Sequence, residues 1–175
     1  PKAEFDHLGV WLAKLLGGNE CVWSAWFKAH FKYDKFEEMA GDLVKWNRDH
    51  TKLMLARRRE LEADGWTCTV EDANAFKLEG RTLILAGKPD IIARPTGGDY
   101  LVIDEKSGTP RPSDIWQVLL YMFALPRIGA YRNLQGELEY RGGEKVSIPR
   151  DRLNDQTTER IVTTMQMIGS NVQPK

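Results

Sequence analysis

Three carboxylates and a lysine gather about one turn signal in the middle of this 175-residue chain: Asp90 before it, and Asp104, Glu105 and Lys106 after it. The turn is Pro95-Thr96-Gly97-Gly98-Asp99. It separates the runs Asp90–Ala93 and Tyr100–Lys106, the second apolar at Leu101, Val102 and Ile103, and this pattern predicts a β-hairpin. Antiparallel strands pair residues whose numbers add to a constant. Centring the turn on Gly97 sets that constant at 194 and places Asp90 opposite Asp104, with Cβ atoms roughly 4.5–5.5 Å apart. Like charges so placed destabilise a sheet, so the pair needs a cation, a shared proton or an offset. A divalent metal meets that need, and oxygen ligands select hard ions such as Mg²⁺ or Mn²⁺. Strand alternation puts Lys106 on the same face as Asp104, where an ammonium offsets negative charge developing in a transition state. Glu105 points the other way, leaving its backbone carbonyl as a candidate metal ligand. Metal, carboxylates and ammonium around one water are the equipment of phosphodiester hydrolysis. The competing reading is a solvated strand end ending in Asp-Glu-Lys; the three apolar residues before Asp104 and its acidic partner weigh against it.

These groups need elements to position them. Residues 8–16 and 22–33 have helical spacing, the second with Trp23, Trp26 and Phe27 three and four apart. From Lys35 to Ala63 a charged helix is expected, with Leu43, Trp46, His50, Leu53, Arg57 and Leu61 on one stripe and Gly65 as its C-terminal cap. Thr67–Val70 and Thr82–Ala86 are strand-like, with Glu79-Gly80 as a turn between them, and Asp90–Ala93 continues the second run. Ser113 or Asp114 suits the N-cap of a helix, apolar nearly all round, that Pro126 stops. Gly136–Tyr140 and Lys145–Ile148 form a second hairpin, and Asp151–Ile168 a final amphipathic helix. The fold class is α/β, and 42% hydrophobic residues over this length suit one domain across 1–175, with a helical segment at 1–35 and a core at 36–168.

Lys and Arg number 25, as do Asp and Glu, which argues against coating nucleic acid by bulk charge. The charge is uneven, at +2 over 1–60, −4 over 61–110 and +2 over 111–175, and the acidic middle holds the hairpin carboxylates. One or two divalent ions there would reverse its sign. No apolar run is long enough for a membrane span and no signal peptide is evident, so no membrane partner and a cytoplasmic, soluble protein are expected. Cys21 and Cys68 alone make neither a disulfide framework nor a four-ligand metal site.

Gly87-Lys88-Pro89-Asp90, Asp104-Glu105-Lys106 and Gln117-Val-Leu-Leu-Tyr121 resemble the G-x-x-D, D/E-x-K and Q-x-x-x-Y motifs of the RecB-like branch of the PD-(D/E)XK nucleases. The resemblance implies a restriction-endonuclease-like mixed central β-sheet flanked by α-helices, and a divalent-metal-dependent deoxyribonuclease, acting as an exonuclease, that hydrolyses DNA phosphodiester bonds. It implies that Asp90 and Asp104 bind Mg²⁺ or Mn²⁺, that the Glu105 carbonyl completes the shell, that Lys106 positions the attacking water, and that Gln117 and Tyr121 orient the catalytic groups or the DNA backbone. Branch members, including CRISPR adaptation nucleases, carry a helical histidine as a further ligand. His50 fits that place, the alternative being a core histidine satisfied by a backbone group. Many relatives hold an iron–sulfur cluster on four cysteines, three of them after the last helix. This chain has no cysteine after Cys68, and no cluster is expected in it.

Single- or double-stranded DNA is the expected partner, with a helicase, integrase or other recombination protein as a possible companion. Arg57, of the Arg57-Arg58-Arg59 run, and Lys88 and Arg111, which flank the hairpin site, are candidates for phosphate contacts; ordinary charged surface is the alternative. Trp11 to Trp26 offer aromatic faces to unpaired bases or, more commonly, core packing. His7 and His30 read as surface or packing residues. The rival function is a catalytically silent nucleic-acid-binding module of a recombination, repair or CRISPR adaptation complex.

Overall fold

Strand alternation decides which side of the central sheet each residue joins. The computed structural model describes residues 3–5, 8–31, 40–81 and 83–174, with side chains for 11–31, 47–81 and 83–174. Along them run β1 (Ala3–Phe5), α1 (Leu8–Leu16), α2 (Val22–His30), α3 (Ala40–Ala63), β2 (Trp66–Val70), β3 (Phe76–Glu79), β4 (Leu83–Gly87) and β5 (Ile91–Pro95). There follow β6 (Leu101–Lys106), α4 (Pro112–Ile128), β7 (Gln135–Tyr140), β8 (Lys145–Ile148) and α5 (Asp155–Ile168). A five-stranded sheet has the order β2-β5-β6-β7-β8, and a three-stranded sheet the order β1-β4-β3. β6 and β7 pair in parallel while the other neighbours of the larger sheet are antiparallel. A parallel step requires a crossover, and α4 supplies it.

The Gly97 hairpin has the register its spacing dictates. Ile91 pairs with Ile103, Ile92 with Val102 and Ala93 with Leu101. Gly97 takes φ +72°, a backbone region open to glycine. On one face of the sheet Ile91, Ala93 and Ile103 pack with Met54 and Leu61 of α3. On the other, Ile92, Val102 and Leu138 join the larger core built on α4, α1 and α5. The result is the expected α/β architecture, a mixed central sheet flanked by helices.

Several expectations need correction. The run at 90–93 does not continue the strand at 83–87: β5 pairs with β2 and β6 in the larger sheet, whereas β4 lies between β1 and β3 in the smaller one. β3 itself was not foreseen; its four residues alternate, with Phe76 and Leu78 turned to the core and Lys77 and Glu79 outward. The N-terminal segment, expected as helical, also carries β1, paired in parallel with β4. α4 begins at Pro112, whose missing N–H costs nothing at a first helical position, and Asp114 Oδ2 accepts the Arg111 N–H at 2.9 Å. Pro126 does not stop α4. It lies in the last turn and forfeits one backbone bond, and the helix runs on to Ile128. α5 starts at Asp155 rather than 151, capped by Asn154, whose Oδ1 accepts the Thr157 N–H at 2.9 Å. Gly65, at φ +82°, follows α3 as expected. The second helix, expected to reach 33, ends at His30, with Phe31 extended; the expected helix start at 35 and His7 lie outside the described residues, as do the side chains of Leu43 and Trp46.

Candidate active site

β6 is the positioning strand. Its odd residues turn to α3 and its even ones to α4, so Asp104 and Lys106 share the α4 face and the Glu105 side chain takes the other. Asp90, one residue before β5, extends the observed pairing to a position opposite Asp104. Its carboxylate is fixed from two sides: Oδ2 accepts the backbone N–H of Glu105 at 2.7 Å, and Oδ1 lies 3.2 Å from His50 Nε2 on α3. Asp104 is 2% exposed, and its Oδ2 is 2.6 Å from Lys106 Nζ.

A chain of contacts continues onto α4. Lys106 Nζ donates to Gln117 Oε1 at 2.8 Å, Gln117 Nε2 donates to the Tyr121 hydroxyl at 2.9 Å, and that hydroxyl donates to the Lys88 carbonyl at 3.4 Å. Gln117 and Tyr121 are four apart on one helix face, and the Tyr121 bond at the far end fixes the amide so that its oxygen meets the ammonium.

His50, Asp90, Asp104, Glu105, Lys106, Arg111 and Gln117 line one cavity of about 360 Å³. Tyr121 is buried behind Gln117. Lys88 is exposed and its ammonium pairs with Asp72 at 3.1 Å. Arg57 stands apart from the cavity on the α3 side of the sheet, held at 2.7 Å by Glu137, 3.0 Å by Glu139 and 3.2 Å by Glu60. Arg58 pairs with Glu62 at 2.8 Å. Lys14 of α1, and Asp114 of α4, also line the cavity and were not foreseen as site residues. Asp114 carries a helix-start signature that marks its place; nothing in the sequence announces that α1 meets α4. Of the aromatic segment, Trp26 is buried with its indole N–H on the Ser170 carbonyl, whereas Trp23 is 45% exposed and stacked on Phe27. His30 is a packing residue, 3.0 Å from the Ile168 carbonyl.

The electrostatics follow from burial among like charges. Burial pushes the Asp104 carboxyl up to about 6, against the pull of Lys106 and with a further push from Asp90. Burial opposes charge on Lys106, yet Asp104 at hydrogen-bond distance outweighs it and raises its pKa. His50 is raised above its ordinary value, chiefly by its bond to Asp90. Glu105, 3% exposed and beside Glu139 in the β6–β7 register, is pushed up to about 8, first by burial and then by that neighbour.

Among the described residues no three His, Cys, Asp or Glu side chains converge closely enough to enclose a metal ion. The donor chemistry nonetheless fits a divalent cation. Two opposed aspartates and an imidazole border the same cavity, and the buried Asp104 carboxylate gains from any adjacent positive charge, as its contact with Lys106 demonstrates. Among the described residues no helix is long and apolar enough to cross a membrane.

No curated protein matches the chain. Among solved structures, the crystal structure of SSO0001 is similar over 99% of this chain and 80% of its own, with a TM-score of 0.52 at 13% identity, a likeness of fold. The model of the PD-(D/E)XK nuclease superfamily matches residues 15–166, a span that includes Asp90, Asp104 and Lys106, and the chain belongs to this superfamily.

Proposed function

We propose that this chain is a divalent-metal-dependent deoxyribonuclease, an exonuclease taking Mg²⁺ or Mn²⁺. The carrying observation is the shared cavity of Asp90, Asp104 and Lys106, with His50 on one wall and Gln117 on the other. An ion held by Asp90, Asp104, His50 and the Glu105 carbonyl would supply Lewis-acid polarisation of the phosphate and acidify a bound water.

The rest is done by the chain. Asp90 is held in place by the Glu105 N–H and His50, so its orientation is set before substrate arrives. Lys106 has three N–H donors; Asp104 and Gln117 engage two, and the third is available to a water or a phosphate oxygen. In hydrolysis a water oxygen bonds to phosphorus while the P–O ester bond breaks, giving a phosphate monoester and an alcohol. Lys106 offsets the charge that gathers on the non-bridging oxygens, and Gln117, oriented by Tyr121, keeps the ammonium aimed. Lys14 and Arg111 on the cavity wall, with Lys88 two residues before Asp90 in the chain, are the cations we assign to holding the strand. Arg57 is already engaged by three carboxylates and acts through the fold.

The rival reading, a silent nucleic-acid-binding module of a recombination, repair or CRISPR adaptation complex, predicts binding without cleavage. End-labelled single- and double-stranded DNA incubated with Mg²⁺, Mn²⁺ or EDTA separates the two. Products shortened progressively from an end with metal, and none in EDTA, support the exonuclease; intact DNA under all three conditions contradicts it.

A further inference from the structure

Beyond the far end of α4 lies a second cavity, and this one is cationic. α4 runs 17 residues away from the active site, a length of about 25 Å. Beyond its last turn a cleft of about 710 Å³ is lined by Arg127, Arg132 and Arg150, with Tyr131, Asn133 and Thr158. Among the described residues none of these three guanidinium groups pairs with a carboxylate. Arg127 stacks on the Phe123 ring and donates to the Phe123 carbonyl, and Arg150 donates to Asn133 Oδ1 at 2.8 Å. Arg132 is exposed, with no side-chain partner among the described residues. Asn133 Nδ2 donates to Asp99 Oδ1 at 3.0 Å.

Three permanently charged forks in a concave site focus a positive potential, and each matches a phosphate bidentately. The same rim is aromatic. Tyr131 packs edge-on to Tyr100 at 5.2 Å, and Arg94 covers the other ring at 4.8 Å. Guanidinium groups beside aromatic rings are the surface that accommodates a phosphate backbone and its bases together.

We propose that the Arg127, Arg132 and Arg150 cleft is a second phosphate-ester site, remote from the catalytic cavity, that holds a nucleic-acid strand. The anion chemistry stands on the three arginines; the strand as its source rests on the nuclease reading. A strand anchored here would leave the catalytic cavity to a different part of the same polymer, or to a second one.

Equilibrium binding in EDTA, where no cleavage is expected, tests this independently of activity. The probe is a fluorescein-labelled single strand of about 20 nucleotides, read by anisotropy over a salt series, with wild type, Arg132→Ala and Arg132→Ala/Arg150→Ala. A mononucleotide, dAMP, is titrated in parallel by calorimetry. Arg132 is exposed and makes no side-chain hydrogen bond or ion pair among the described residues, so its removal should leave the fold intact, and thermal melting checks both variants. The expected result is strand affinity lowered about tenfold in the double variant, with the log–log salt slope shallower by about 1.4 for two lost contacts, and an intermediate value for Arg132→Ala. Unchanged affinity and slope overturn the proposal whether or not the chain cuts DNA, as does the absence of measurable binding by wild type. Loss of dAMP binding with strand affinity unchanged also overturns it, marking a mononucleotide site. A lowered affinity in a chain that fails to cleave DNA sustains the second site while removing the nuclease reading.

Discussion

Glu105 shows how one residue between two functional neighbours takes a separate physical role. Its N–H holds Asp90 while its side chain is buried on the opposite face of the sheet, beside Glu139. With its pKa pushed from 4.5 to about 8, the folded chain keeps a proton there that the unfolded chain loses. The folded state therefore binds more protons between these values, and stability falls as pH rises through that window. Glu105→Gln should match wild type at pH 4 and exceed it at pH 9 by up to about 5 kcal/mol, measured by urea denaturation in EDTA; a difference constant across pH would contradict this. The site residues legible in the sequence are those related by local periods. Asp104 and Lys106 lie two apart on a strand, Gln117 and Tyr121 four apart on a helix, and Asp90 and Asp104 are equidistant from Gly97. Lys14 was not legible, because only the packing of α1 on α4 brings it to the cavity. Arg57 shares the His50 stripe as expected, but its partners Glu137 and Glu139 come from a strand 80 residues on.

At the scale of elements, the crossover helix and β7 meet over a glycine. A Cβ on Gly136 would stand 2.4 Å from Val118 Cγ1 and 2.9 Å from Met122 Sδ, closer than packed atoms tolerate. Gly136→Ala should destabilise the fold by roughly 2 kcal/mol, with cleavage unaffected below the melting transition; a neutral effect in chemical denaturation would show that α4 can shift. On the other face, Arg57 ties α3 to β7 through Glu137 and Glu139. Arg57→Met should cost about 2–3 kcal/mol, since it takes the arginine from Glu137 and leaves Glu139 only Lys145 at 3.7 Å. The same substitution weakening DNA binding without loss of stability would instead make Arg57 a phosphate contact. The hairpin register was readable because turn chemistry and alternation agree. The smaller sheet was not: β3 has four residues, β1 three, and both obtain their pairing from β4, which no local pattern assigns to one sheet or the other. Pro126 misled for a related reason, since a proline in the last turn forfeits one bond and the helix closes two residues later on the Gly129 N–H bond to the Leu125 carbonyl.

For the whole molecule the zero net charge conceals a separation, with opposed carboxylates in the cavity at one end of α4 and three arginines in the cleft at the other. Opposed carboxylates repel a polyanion until a cation joins them. Wild type in EDTA should therefore bind DNA weakly, and Ca²⁺ should strengthen binding about tenfold. Asp104→Asn, with one negative charge fewer, should bind more tightly than wild type in EDTA and respond less to Ca²⁺; equal Ca²⁺ responses in anisotropy titrations would place the ion elsewhere. The most direct measurement is single-turnover cleavage of end-labelled DNA with Mn²⁺ by wild type and Asp104→Ala, each checked for folding by circular dichroism. A folded Asp104→Ala should show a rate at least about 10³-fold lower, because the loss removes a proposed metal ligand and the carboxylate that pairs with Lys106. Cleavage by Asp104→Ala at the wild-type rate would contradict the assignment of this cavity as the nuclease active site.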